Sequence, residues 1–190
     1  QMGYPTCPTD SYRQKIGNGM RMICKRAMPH QESENEEKLD EMVARYNEYY
    51  CAHCCDRSMP YKGIVELVAR LKEAGILCAV ISNKPHPQTQ IVLQTLFEKG
   101  DFVYVEGQSA RFPKKPDPAV LQDCMLKLGC EAAQTVYVGD SNVDVVFAHN
   151  AGVACVGASW GFRGREELEQ AGADFIANVA DDIYQFVIQA

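Results

Sequence analysis

The 190-residue chain is 46% apolar and 23% charged, which marks a globular, soluble protein with enough core material for one ordinary domain, or one domain carrying a smaller insertion. Its formal net charge of −6, with lysines and arginines scattered rather than clustered, gives no basic field for a polyanion and argues against nucleic acid as a partner. No stretch approaches the roughly 18 consecutive apolar residues of a membrane span and the N-terminus lacks a signal-peptide layout, so a cytoplasmic protein with no membrane partner is expected.

The first 57 residues contain no strand-like run. A helix is predicted from about Asp10 to Ala27, interrupted or bent near Gly17-Asn18-Gly19. Ser33-Glu34-Asn35-Glu36 reads as a capping box, after which Leu39, Met42, Val43, Tyr46 and Tyr50 follow helical spacing. This helical module joins the rest of the chain near Asp56 to Pro60. Nine cysteines lie mostly in apolar elements rather than in a loop-rich framework, which favours reduced thiols. Cys51, His53, Cys54 and Cys55 are the one cluster with metal-binding residue types. They sit too close together to converge on a tetrahedral zinc without strain, so buried or half-buried thiols are expected there.

From residue 60 onward, short β-branched runs alternate with amphipathic ones. Ile64, Val65, Leu67, Val68 and Leu71 form one helix face closed by Gly75. A strand over Ile76–Ile81 follows, then a helix over 87–97 and a strand over 102–105. A third helix spans 118–128 and ends at Gly129, before a strand over 135–138. The 142–150 helix leads to a strand over 153–156, and a last helix-and-strand pair precedes a terminal helix from about Asp181. Strands apolar on both faces and separated by helices predict an α/β domain built on a doubly wound, Rossmann-like parallel sheet.

Three polar positions fall where consecutive strands end. Ser82-Asn83 closes the 76–81 strand, Lys115-Pro116 lies in the loop after Val105, and Asp140 with Asp144 follows Val136–Val138. Open parallel sheets bind ligands at the carboxyl ends of their strands, so all three can face one ligand. A hydroxyl and an amide can hold phosphate oxygens, a lysine can offset their charge, and two carboxylates can fix Mg²⁺, a set suited to phosphoryl transfer. Each signal alone has a plainer reading: a helix cap, a loop dipeptide, a solvated lysine. In this order and at three strand ends they point to chemistry.

Val80-Ile81-Ser82-Asn83-Lys84-Pro85, Lys115-Pro116-Asp117-Pro118 and Val138-Gly139-Asp140-Ser141-Asn142-Val143-Asp144 resemble the second, third and fourth motifs of the haloacid dehalogenase superfamily, within it most nearly the phosphoglycolate phosphatase group. Tyr12-Arg13 with Ile16-Gly17-Asn18-Gly19-Met20-Arg21 is similar to that group's helical cap, and Ala148-His149-Asn150-Ala151-Gly152 to its segment after the fourth motif. The resemblance implies a cap over residues 1–57 and a hydrolase core over 58–190. It implies an Mg²⁺-dependent phosphatase, monomeric or homodimeric, that cleaves a small phosphate monoester through an aspartyl-phosphate. Ser82 and the Asn83 amide would hold the phosphoryl oxygens, Lys115 would neutralise charge, Asp140 would be a metal ligand, and Asp144 a ligand or anchor. Arg21 is a candidate for a substrate carboxylate such as that of 2-phosphoglycolate.

One part of the family pattern is absent: the chain has no Asp-x-Asp, so neither the nucleophile nor the general acid of the first motif is present. The resemblance places that motif on a central first strand, which is expected to lie upstream, leaving these 190 residues inactive alone. The alternatives are a non-catalytic protein that keeps the phosphate and Mg²⁺ edge for binding, or a pyrophosphatase of the same family. A dinucleotide fold lacks its Gly-x-Gly-x-x-Gly here and a P-loop its Gly-x-x-x-x-Gly-Lys-Ser/Thr.

Overall fold

The computed structural model describes residues 2–16 and 19–189. The chain divides into two compact units, Gln1–Arg57 and Ser58–Ala190. No described helix is long and apolar enough to cross a membrane.

The first unit is helical: α1 (Tyr12–Lys15), α2 (Met20–Ala27), α3 (His30–Ser33) and α4 (Glu36–His53). The single helix predicted over 10–27 is two helices, with Ile16 extended after α1 and Gly19 at φ 88° before α2. The other residues of the expected interruption, Gly17 and Asn18, lie outside the described residues. The predicted cap of α4 is displaced by two residues. Asn35 is the N-cap, its side chain accepting from the Lys38 N–H at 3.1 Å. Ser33 is the last residue of α3 and donates instead to the His30 carbonyl at 2.9 Å. The short α3 turn consumes Ser33 locally, and Asn35 is the next residue able to satisfy an orphan amide. Leu39 is buried with Cys24 and Met28, and Met42, Val43 and Tyr46 pack against them. At the end of α4 Cys54 is buried and Cys55 half-buried, but Cys51 is exposed, contrary to the burial expected of it.

The second unit contains α5 (Ile64–Glu73), β1 (Ala79–Pro85), α6 (His86–Leu96), β2 (Tyr104–Gln108), α7 (Ala119–Leu128), β3 (Val136–Gly139), α8 (Asn142–Asn150), β4 (Ala154–Ala158), α9 (Arg165–Gln170), β5 (Phe175–Ala177) and α10 (Ala180–Gln189). Every strand pairing is parallel. β4 shows why the strands read as apolar on both faces. Its Cys155 packs with Val145, Ala148 and Leu168 of α8 and α9, while the adjacent Val156 packs with Leu67, Leu71 and Ile183 of α5 and α10. Alternate side chains feed two helical layers, which is the doubly wound arrangement.

Several strands begin later than the apolar runs suggest. The β1–β2 ladder starts at Ala79↔Tyr104, so Ile76–Cys78 and Phe102–Val103 precede it. Ile76 still packs on the core, so its apolar character reports burial and not pairing. The strands form two sheets, β1–β2 and β3–β4–β5. Among the described residues β1 and β3 therefore each keep one unpaired edge, and the Tyr137 hydroxyl of β3 donates to the Ile81 carbonyl of β1 at 3.3 Å. An apolar cluster joins the two: Val120, Leu121, Phe147 and Val153 pack with Ile81 and Tyr137.

Replacing Asn35 by Ala should cost about 1 kcal/mol, read as a lower urea midpoint of the helical circular-dichroism signal. An unchanged midpoint would remove Asn35 as the cap.

Candidate active site

Ser82 and Asn83 lie where the β1–β2 ladder slips. The step from Ile81 to Pro85 is matched on β2 only by Glu106 to Gln108, so the intervening backbone is released from pairing at the carboxyl end of the strand. Ser82 Oγ accepts the Lys84 N–H at 3.1 Å. The Asn83 side chain has a role the sequence did not disclose. Its Oδ1 accepts the Lys115 N–H at 3.0 Å and its Nδ2 donates to the Lys115 carbonyl at 3.3 Å. Asn150 Nδ2 donates to the Pro116 carbonyl at 2.9 Å. Two amide side chains from separate elements thus fix the backbone that presents Lys115.

The Lys115 ammonium meets Asp144 Oδ1 at 2.6 Å and the Tyr137 hydroxyl at 2.9 Å. Burial alone would lower the lysine pKa, but Tyr137 and Asp144 outweigh it and hold Lys115 above its ordinary value. Burial likewise works to raise Asp144, and Lys115, with Ser141 and the Asp140 amide, draws it below the usual carboxylate range. Burial pushes the Tyr137 phenol up to about 12. At neutral pH the trio is therefore ammonium, carboxylate and neutral phenol.

Asp144 is 6% exposed and its carboxylate is saturated. Besides Lys115, Oδ2 accepts Ser141 Oγ at 2.7 Å and the Asp140 N–H at 3.2 Å. Asp140 is less committed: its Oδ2 accepts the Phe162 N–H at 3.0 Å. Both carboxylates require glycine neighbours. A Cβ on Gly139 would stand 2.1 Å from Asp144 Cβ, and one on Gly161 2.2 Å from Asp140 Cβ. Ser82, Asn83 and Lys115 line one small cavity, together with Glu106, Phe112 and Val120.

Ser82, Asn83 and Lys115 are thus brought together around the cavity, and Asp144 binds Lys115 and the Asp140 backbone. Arg21 belongs to the other unit, where Glu36 and Asp40 hold its guanidinium. Tyr137, Asn150 and the Phe162 amide were missed by sequence reasoning. Tyr137 read as one more apolar strand residue, and a backbone N–H leaves no sequence signal at all. Among the described residues no group of three or more His, Cys, Asp or Glu is placed to hold a metal.

The haloacid dehalogenase-like hydrolase family profile matches residues 1–158. The chain is 31% identical over 188 residues to a phosphoglycolate phosphatase of Pasteurella multocida, covering 96% of this chain and 83% of that protein. It is 32% identical over 195 residues to a phosphoglycolate phosphatase of Pseudomonas syringae pv. tomato, covering 98% and 68%. Among solved structures it is similar to a predicted phosphoglycolate phosphatase from Haemophilus somnus, with a TM-score of 0.89 and 28% identity over 97% of this chain and 84% of that one.

Removing Asp144 leaves a buried ammonium uncompensated, so Asp144→Ala should lower stability by about 3–5 kcal/mol in urea unfolding. Gly139→Ala and Gly161→Ala should each cost about 1–3 kcal/mol through forced displacement of a carboxylate, and wild-type midpoints would contradict the close approach. The lowered Asp144 pKa contributes stability above its ordinary value of 3.8 and loses it as pH falls further. The raised Lys115 pKa contributes below 10.5 and loses it as pH rises further. The difference in stability between wild type and Lys115→Met/Asp144→Leu should therefore be flat between those limits and change only outside them, as measured by urea unfolding across pH.

Proposed function

The chain belongs to the haloacid dehalogenase-like hydrolase family and is a phosphatase of it, and we propose that it acts on a small phosphate monoester, 2-phosphoglycolate foremost. The observation that carries this reading is the Lys115 ammonium, fixed by Asp144 and Tyr137, beside Ser82 and Asn83 at the ends of neighbouring strands.

Ser82 accepts from the Lys84 amide and keeps its own O–H proton for a phosphoryl oxygen. The Asn83 backbone amide is the second donor. Lys115 offsets the charge that builds on the transferring group. Asp140 suits a hard cation: it offers carboxylate oxygen, and its Oδ1 accepts no hydrogen bond among the described residues. Bound there, Mg²⁺ would supply positive charge to the phosphoryl oxygens. Asp144, saturated by Lys115, Ser141 and the Asp140 amide, anchors Lys115 and sets the Asp140 backbone.

The attacking group in this reading is an aspartate carboxylate that forms an aspartyl-phosphate. No carboxylate of this edge is free to serve: Asp144 is consumed by Lys115, Glu106 is held by Arg111, and Asp140 is assigned to the cation. The split between β1 and β3 supports a strand from outside residues 1–190 that pairs with both edges and brings the nucleophile to Lys115. Residues 1–57 would form the cap that selects the leaving group. Arg21 can take a substrate carboxylate there only by exchanging Glu36 and Asp40 for it.

The test is turnover of 2-phosphoglycolate with and without Mg²⁺, beside pyrophosphate and an aryl phosphate, by a protein extended upstream through its natural reading frame. Mg²⁺-dependent turnover is expected, fastest on 2-phosphoglycolate, with residues 1–190 alone inactive. Lys115→Met should lower kcat about a hundredfold or more. No turnover by the extended protein would favour a non-catalytic binder of phosphate.

A further inference from the structure

The cavity that holds Ser82, Asn83 and Lys115 is also lined by a carboxylate that the phosphatase reading leaves unused. Glu106 stands opposite Ile81 in the β1–β2 ladder, one residue before the backbone of β1 is released, and is 5% exposed. A buried negative charge on the wall of a site for phosphate opposes the ligand unless something cancels it.

The groups facing Glu106 show what does. Arg111 Nη1 donates to Oε2 at 2.9 Å, and Ser109 Oγ donates to Oε1 at 3.3 Å. His86 Nδ1 lies 3.4 Å from Oε1, but the same nitrogen accepts the Gly107 N–H at 3.0 Å. An Nδ1 that accepts this backbone N–H has no N–H of its own to give Glu106. Lys115, the cation that lines the cavity, is matched by Asp144. The positive charge on Glu106 is that of Arg111. The loop is folded to put it there: the Arg111 N–H donates to Ser109 Oγ at 3.2 Å, and the guanidinium lies 5.3 Å from the ring centroid of Phe112, another cavity residue.

We propose that Arg111 is a positioning residue that makes this cavity receptive to an anion by cancelling the buried charge of Glu106, an inference that rests on the phosphate reading above. Arg111 acts through Glu106 and not by touching the phosphate. Its loss leaves one uncancelled negative charge facing the ligand, and loss of the Glu106 charge as well removes the obstacle. A purely structural tie would behave in the opposite way, the double variant being no better than the single one.

The experiment is a calorimetric titration of inorganic phosphate into the protein extended upstream through its natural reading frame, as wild type and as Arg111→Gln, Arg111→Lys, Glu106→Gln and the double variant Arg111→Gln/Glu106→Gln, each checked for folding by thermal melting. Arg111→Gln keeps a donor for Glu106 without the charge, which separates charge from folding. It should bind phosphate about tenfold more weakly or worse, the scale of one uncancelled charge a few ångströms away. Arg111→Lys should stay within about threefold of wild type, and the double variant should return to that range. A double variant as weak as Arg111→Gln, or an Arg111→Gln that binds like wild type, overturns the proposal and leaves the phosphate reading standing. A wild-type extended protein that binds no phosphate overturns the phosphate reading and this proposal with it.

Discussion

A lysine and an aspartate buried against each other at the end of a sheet must be paired closely or not be there at all, because either charge alone would be expensive to bury. The Lys115–Asp144 contact at 2.6 Å imposes that demand on everything around it. Gly139 must lack a side chain for Asp144 to enter. Ser141 and the Asp140 amide must occupy the second carboxylate oxygen. Asn83 and Asn150 must hold the backbone on either side of the Lys115–Pro116 peptide. The pair thus binds β1, the loop after β2, β3 and α8 into one edge, and it leaves Asp140, the proposed cation ligand, outside the ion pair.

The same edge explains how two sheets serve one site. β1 and β3 do not pair with each other. They are joined across the split by side chains: Tyr137 donates to the Ile81 carbonyl and receives Lys115. Ile81 and Tyr137 also pack on the cluster formed by α7 and α8. Polar contacts set the alignment of the strand ends, and the apolar cluster beneath them supplies the rigidity that a charged constellation needs.

Much of this was legible in the sequence because it rests on local chemistry. Gly129 and Gly75 close helices in the left-handed region, and α8 begins and ends at the residues its pattern implies. Strand ends were less legible. Ile76 is apolar because it packs on the core, and the sequence cannot distinguish that from a place in the ladder. The cap of α4 was misplaced because Ser33 and Asn35 are both competent, and only the α3 turn decides between them. At the site, Ser82, Asn83 and Lys115 were singled out by residue type and strand-end position, and the structure gathers them at one cavity. Asn83 acting as a clamp, Tyr137 as a partner of Lys115 and Glu106 as a buried charge follow from three-dimensional neighbours that spacing does not encode.

The proposed site depends on a division of labour between Asp140 and Asp144. A crystal structure of the chain soaked with Mg²⁺ and phosphate tests it directly. The expected result is the cation on Asp140, phosphate beside Ser82 and the Lys115 ammonium, and Asp144 still bound to Lys115. A cation held by Asp144 with Lys115 released, or phosphate bound away from this edge, would contradict it.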